Sequence, residues 1–160
     1  MENVEIERKF LVHSIPFDIE RFEHKTYIQG YLSTKPVVRV RKEGEDYVLT
    51  YKGVGDLVRE EYNLPLDEES FLHLLDKADD NIIIKRRFFI PFEGLVIELD
   101  LFDGDLAPLR LAEIEFRSEQ EAKEFVPPDW FGDEVTYDPD YSNAFMSKNG
   151  LPPRPKTMVY

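Results

Sequence analysis

Cysteine is absent from this 160-residue chain, which excludes disulfides, thiolate nucleophiles and Cys-based zinc or iron-sulfur sites. Histidine is nearly as scarce. His13, His24 and His73 stand far apart with no metal-ligand spacing, so all three are expected to be structural or exposed. No apolar run is long enough to cross a bilayer, and the opening MENVEIERKF has no stretch resembling a signal peptide. The expectation is a soluble, cytoplasmic protein with no membrane partner. Basic residues are in deficit, 20 Lys and Arg against 33 Asp and Glu. The formal charge of −13 argues against general binding of nucleic acid, which needs a basic surface, and leaves room only for a local basic site. Internal repeats and low-complexity linkers are also missing. With 42% hydrophobic residues available for a core, one domain over residues 1–160 is expected, as monomer or homodimer.

What the chain does have is charge at every second position, in six short stretches. The pattern begins with Glu5, Glu7 and Lys9 and recurs as Arg39/Arg41, Arg59/Glu61, Lys85/Arg87, Glu98/Asp100 and Glu113/Glu115. In an extended strand successive side chains point to opposite faces, so each pair shares one face and the apolar residues between occupy the other. Strand-like segments lie near 3–12, 26–33, 36–43, 46–53, 56–65, 81–91, 94–103 and 110–117, often separated by turn residues such as Gly44 and Gly53. Eight strands are enough to close a small barrel. Between the fifth and sixth, DEESFLHLLDKA aligns Phe71, Leu74, Leu75 and Ala78 on one helical stripe and predicts a covering helix. A second helix is predicted from Ser118, with Glu121 completing a capping box and Pro127 ending it, and a short one near 16–23. Short strands with few helices fit an antiparallel α+β, mainly β, architecture.

The alternate strand faces carry Val4, Ile6, Phe10, Val38, Val40, Leu49, Tyr51, Ile97, Leu99, Leu101, Ile114 and Phe116, which need cover. If they pack against helices outside, the charged face lines the interior, which must then hold water and ions. The inward candidates are seven bases, Lys9, Arg39, Arg41, Lys52, Arg59, Lys85 and Arg87, and seven acids, Glu5, Glu7, Glu61, Glu98, Asp100, Glu113 and Glu115. Each unpaired buried ion costs several kcal/mol, so this set must face water, one another, or a charged ligand. The competing reading puts them on the solvated outer face of an open sheet. Exposed pairs gain at most about 1 kcal/mol and gain it when opposite signs alternate, whereas here like charges are neighbours. Clustered Arg and Lys suit phosphate oxygens, and clustered carboxylates without His or Cys suit a hard cation such as Mg²⁺ or Mn²⁺. Together they point to a metal-bound polyphosphate.

These residues resemble a known family. Glu5-Ile6-Glu7-Arg8-Lys9 followed by Phe-Leu-Val is similar to the Glu-x-Glu-x-Lys motif of the CYTH domain, the triphosphate tunnel metalloenzymes. The similarity continues through Gln-Gly-Tyr-Leu at 29–32, Val-Arg-Val-Arg at 38–41, Leu-Thr-Tyr-Lys-Gly at 49–53, Arg-Glu-Glu-Tyr at 59–62, Lys-x-Arg at 85–87, Glu-Leu-Asp at 98–100 and Glu-Ile-Glu at 113–115. It spans about residues 3–149. The resemblance implies a closed eight-stranded antiparallel tunnel that binds a triphosphate and a divalent metal. It also implies that Lys9, Arg39, Arg41, Lys52, Arg59, Lys85 and Arg87 grip phosphate, and that Glu5, Glu7, Glu61, Asp100, Glu113 and Glu115 supply the metal ligands. The resemblance also matches Tyr31 and Lys52 to a Tyr–Lys pair proposed to handle protons in related thiamine triphosphatases, against the simpler reading of Tyr31 as a packing aromatic.

At the C-terminal end Asp140-Tyr141-Ser142-Asn143 departs from the family pattern, which has a basic residue before the Tyr. Lys148 is the nearby basic residue but not at the matching position. Trp130, in the turn PPDWFG, reads as local packing, so no adenine or thiamine pocket is evident. The short loops and overall layout most resemble the compact bacterial tripolyphosphatases of that family, and this resemblance implies hydrolysis of the terminal phosphate of inorganic triphosphate, with nucleoside triphosphate hydrolysis as a weaker side activity. The alternatives are a class IV adenylate cyclase, a thiamine triphosphatase, and a non-catalytic polyphosphate-binding module.

Overall fold

The computed structural model describes residues 3–153, so the first two and last seven residues of the expected 1–160 domain lie outside the described range. Eight strands form: β1 (Val4–Leu11), β2 (Glu23–Thr34), β3 (Val37–Glu43), β4 (Asp46–Lys52), β5 (Val58–Leu66), β6 (Asp79–Phe92), β7 (Leu95–Phe102) and β8 (Arg110–Glu115). Every pairing is antiparallel, and the order β1-β5-β4-β3-β2-β6-β7-β8 returns to β1 to close a barrel. Closure leaves no free sheet edge. This is the architecture expected from the alternating charges.

Among the described residues three α-helices accompany the barrel. Helix α1 (Glu68–Leu75) starts where the Asp67 carboxylate accepts from the Ser70 amide, and it buries Phe71, whose ring lies 5.1 Å from that of Tyr47. Its C-terminal end crosses β2 closely enough that a β-carbon on Gly30 would sit 2.9 Å from both Ala78 Cβ and Leu75 Cδ1. Helix α2 (Glu119–Glu124) is capped by Ser118, as the capping box predicts. The segment near 16–23 forms only a single 3-10 turn, Ile19–Arg21. Helix α3 (Asn143–Asn149) was not expected from the sequence; Ser142 caps it by accepting from the Phe145 amide, and Gly150 follows it at φ +79°.

The apolar side chains divide into two clusters, and that division explains the site. Outside the barrel, Ile97, Leu99, Ile114, Phe116 and Phe88 pack with Ala122 of α2 and with Phe17, Phe125, Trp130 and Phe131. Trp130 meets Phe17 and Phe131 edge-on at 5.3 and 4.7 Å, the packing role expected of it. Cover on the β4–β5 side is thinner, with Tyr62 and Leu64 exposed. Inside, Leu11, Ile83, Phe102 and Leu111 pack with Tyr141, Ala144 and Met146. The expectation of a wholly hydrated interior therefore holds for only part of the barrel: α3 and the turn before it fill one end with an apolar plug. The plug is tied to β6 where Asn81 Nδ2 donates to the Ser147 carbonyl oxygen over 3.2 Å.

Candidate active site

The strand period sends Glu5, Glu7 and Lys9 inward while Arg8, between them, points out to bind Glu134 at 2.7 Å. The same alternation on the other strands encloses a cavity of about 440 Å³. All seven basic candidates line it: Lys9, Arg39, Arg41, Lys52, Arg59, Lys85 and Arg87. So do Glu5, Glu7, Glu61, Glu98, Glu113 and Tyr31. Asp100 and Glu115 do not. Asp100 is fully buried beneath the basic groups, and Glu115 is exposed at the end of β8. His13, His24 and His73 lie away from the cavity, and Lys148 is exposed on α3.

The cations differ in how they are balanced. Arg87 is clasped by Asp100, Nε to Oδ1 at 2.7 Å and Nη2 to Oδ2 at 2.8 Å, and its Nη1 reaches Glu98 at 2.9 Å. Lys85 Nζ donates to Asp100 Oδ2 at 2.8 Å. Burial alone penalises the Asp100 charge, but Arg87 and Lys85 outweigh it and hold this carboxyl below its usual range. Arg41 Nε donates to Glu43 at 2.8 Å. Burial, with Arg39 and Arg87 close by, nevertheless pulls the Arg41 pKa down. Arg39 and Arg59 have no carboxylate partner among the described residues: Arg39 reaches only the Thr50 hydroxyl at 3.2 Å and Arg59 the Gly53 carbonyl at 3.1 Å. The Arg39 Nε is buried with nothing to donate to among the described residues. This wall is electropositive and short of acceptors.

The carboxylates on the other side are crowded. Lys52 Nζ sits 3.0 Å from Glu5 and 3.6 Å from Glu61. Burial drives Glu5 up to about 7 against the pull of Lys52, while Glu61 falls to about 2 because its hydrogen bonds and Lys52 overcome burial. The pair titrates as a unit. Burial, reinforced by Glu113 and Glu5, pushes Glu7 well above its usual value. Glu113 goes the other way: Lys9 and Arg87 overcome its burial and keep it ionised. Lys52, though buried, is held protonated by Glu5 and Glu7. Among the described residues Glu61 Oε2 is buried with no donor within hydrogen-bond distance, the Lys52 ammonium standing 3.6 Å away. Such an arrangement carries more negative charge than its own lysine neutralises, and a cation would relieve it. Among the described residues no three His, Asp or Glu side chains converge into a ready-made chelate. That donor set suits a hard divalent ion taken up with an anion that brings further oxygens.

Uncharged groups at and behind the lining, Asn143, Gln29 and the Tyr141 carbonyl, were not expected. Asn143 Oδ1, on α3, accepts from Lys85 Nζ at 3.0 Å and from Gln29 Nε2 at 3.3 Å. Gln29 Nε2 also donates to the Tyr31 phenol oxygen at 2.9 Å. Lys9 Nζ donates to the Tyr141 carbonyl oxygen at 3.3 Å. The DYSN stretch that lacks the family's basic residue thus contributes acceptors to two lysines. A helix cap followed by alternating small and apolar residues, Ser142 then Ala144, Met146 and Ser147, was the available signal.

Comparison with known proteins agrees with this geometry. Residues 3–135 match the model of the CYTH domain. An inorganic triphosphatase of Nitrosomonas europaea is 43% identical over 149 residues, covering 89% of this chain and 96% of that protein. An inorganic triphosphatase of Acetivibrio thermocellus is 36% identical over 152 residues, covering 91% and 94%. A crystal structure of an inorganic triphosphatase superposes with a TM-score of 0.67 at 37% identity, over 89% of this chain and 93% of that one.

Proposed function

The chain belongs to the CYTH domain family, and on that premise we propose that it hydrolyses the terminal phosphate of inorganic triphosphate with the help of a divalent cation, Mg²⁺ or Mn²⁺. The observation that carries this reading is the imbalance across the cavity. Arg39 and Arg59 lack carboxylate partners among the described residues on one side, and on the other Glu5, Glu7 and Glu61 crowd around Lys52, with burial making the Glu5 and Glu7 charges costly. A triphosphate supplies the missing acceptors and a divalent ion the missing positive charge.

Arg39, Arg41 and Arg59, with Lys9, Lys85 and Arg87, bind the phosphate oxygens, the arginines as forks and the lysines as point charges. Glu5, Glu7, Glu61 and Glu113 are the groups that would hold the metal, which when bound neutralises phosphate charge and lowers the pKa of a coordinated water. Asp100 has both oxygens committed to Lys85 and Arg87, so its role in this scheme is to position those cations. Glu115 stands at the rim. In the reaction, water attacks the terminal phosphorus, the bond from that phosphorus to the bridging oxygen breaks, and pyrophosphate leaves as orthophosphate and a proton are formed. Positioning and charge stabilisation supply most of the rate in such transfers. Lys52, held protonated, serves as a charge stabiliser on the leaving or terminal oxygens. Tyr31 supplies a phenol at the same cavity.

The names of the relatives favour hydrolysis over cyclisation or thiamine triphosphate cleavage. Orthophosphate release from tripolyphosphate, measured with Mg²⁺, with Mn²⁺ and with excess chelator, tests the reading. Metal-dependent release is expected. Tight binding without turnover would instead identify a binding module, and cyclic AMP formed from ATP would identify a cyclase.

A further inference from the structure

Lys85, Asn143, Gln29 and Tyr31 form one continuous chain of hydrogen bonds, and its direction is forced from one end. The Lys85 ammonium is a donor only. It gives one N–H to Asp100 Oδ2 at 2.8 Å and another to Asn143 at 3.0 Å, so the Asn143 amide must turn its oxygen toward it. That oxygen then demands a donor from Gln29, whose Nε2 lies 3.3 Å away. With Nε2 so oriented, its second N–H meets the phenol oxygen of Tyr31 at 2.9 Å. Flipping either amide would set donor against donor at Lys85 or oxygen against oxygen between Gln29 and Asn143. The orientation leaves Gln29 Oε1 buried without a donor, an arrangement a freely turning amide would avoid. Gln29 is wholly buried and Tyr31 nearly so, which bars bulk water from substituting for either partner.

We propose that Gln29 and Asn143 are positioning residues that convert the donor-only character of the Lys85 ammonium into a fixed hydrogen-bond polarity at Tyr31. The phenol oxygen is occupied as an acceptor, so its hydrogen has no protein acceptor among the described residues and is left to point into the cavity. Beyond Asp100 and Asn143, Lys85 Nζ meets no further oxygen acceptor among the described residues, only the face of the Phe102 ring 5.3 Å away, which leaves its third N–H available to a ligand. The relay presents two preset donors, one cationic and one neutral, to the same cavity. It also explains how α3, a plug at the end of the barrel, enters the chemistry: Asn143 is its first residue. This inference rests on the triphosphatase reading for its ligand.

The test is a double-mutant cycle on the intact protein, read both in tripolyphosphate binding by calorimetry and in kcat and KM for its hydrolysis. Gln29→Glu replaces the donor by an acceptor, so the Tyr31 hydrogen turns back toward residue 29 and away from substrate. It is expected to weaken binding or turnover about tenfold or more, the scale of a hydrogen bond to a charged group. In a Tyr31→Phe background the same change should have little further effect. Gln29→Met, neutral and similar in length, should fall between wild type and Gln29→Glu, and guards against a folding defect caused by the buried charge. Asn143→Asp keeps an acceptor for both donors and should lose less than Asn143→Leu. Additive effects of Gln29→Glu and Tyr31→Phe, or equal losses in both Asn143 variants, would overturn the relay. A wild type that binds tripolyphosphate but does not cleave it would sink the triphosphatase reading while the binding cycle still decides the relay; one that binds no tripolyphosphate sinks both.

Discussion

Lys85 Nζ donates to Asp100 Oδ2 over 2.8 Å at a point where the two side chains are 1% and 0% exposed. Asp100 also clasps the Arg87 guanidinium through both oxygens. One carboxylate therefore holds two of the cations that face the cavity.

Removing that charge while keeping its shape isolates the effect. Asp100→Asn is expected to destabilise the protein by about 3 kcal/mol or more, because breaking a buried ion pair leaves its partner uncompensated. Glu98 and Glu113 remain near Arg87 and set an upper bound on the loss. Urea unfolding of the metal-free protein measures it, and a change below about 1 kcal/mol would remove Asp100 from the positioning role.

Arg39 offers the opposite case. Its guanidinium has no carboxylate partner among the described residues, so Arg39→Ala removes a ligand for substrate without stranding a buried anion. The expected outcome is KM for tripolyphosphate raised about tenfold or more with stability unchanged or improved. Steady-state kinetics beside a thermal melt provides the check. Wild-type KM would exclude Arg39 from the phosphate wall.

The carboxylate crowding makes a signed pH prediction. A Glu whose folded pKa is raised, as Glu5 is from the usual 4.5 to about 7, binds its proton more tightly folded than unfolded. The stability this contributes is fully present below about 4.5 and is lost as pH rises through 7. Glu5→Gln should therefore stabilise the metal-free protein at pH 8 relative to pH 5, by up to about 3 kcal/mol since each pKa unit is worth about 1.4. The same variant should bind Mg²⁺ or Mn²⁺ more weakly, and wild-type metal affinity should rise between pH 6 and 8 as the proton leaves. Denaturation and metal titration at the two pH values decide it. A metal affinity unaffected by Glu5→Gln would take that residue out of the metal site.

Arg8 lies in the middle of the Glu-x-Glu-x-Lys motif but on the outer face. It donates to Glu134 and, through Nη1, to the Ala122 and Phe125 carbonyl oxygens at 2.8 and 3.1 Å. Arg8→Met is expected to cost about 1–3 kcal/mol of stability while leaving kcat and KM for tripolyphosphate unchanged. Altered kinetics in a variant that melts normally would contradict the inside-outside division of β1.

That division was legible because strand geometry has period two: a Glu at 5 and another at 7 must share a face whatever else the chain does. Depth along the barrel has no such signature. Glu98 and Asp100 face the same way on β7, yet Glu98 lines the cavity and Asp100 lies under Lys85 and Arg87. The sequence patterns are equivalent for the two, and only the stagger of β6 against β7, which sets Arg87 opposite Asp100, separates them. Glu115 belongs to the same alternation but falls at the last residue of β8, where the wall ends.

The amino-acid order alone therefore determined the strands, the sign of charge on each face and the kind of ligand such a lining suits, because these follow from local geometry and composition, while closure was implied only by the family resemblance. Tertiary structure decided which charges neutralise one another, which stay open to a ligand, and that α3 seals one end and sets Asn143 against Lys85, 58 positions earlier. Pairing energies depend on distances and burial between distant segments, and those exist only once the barrel has closed.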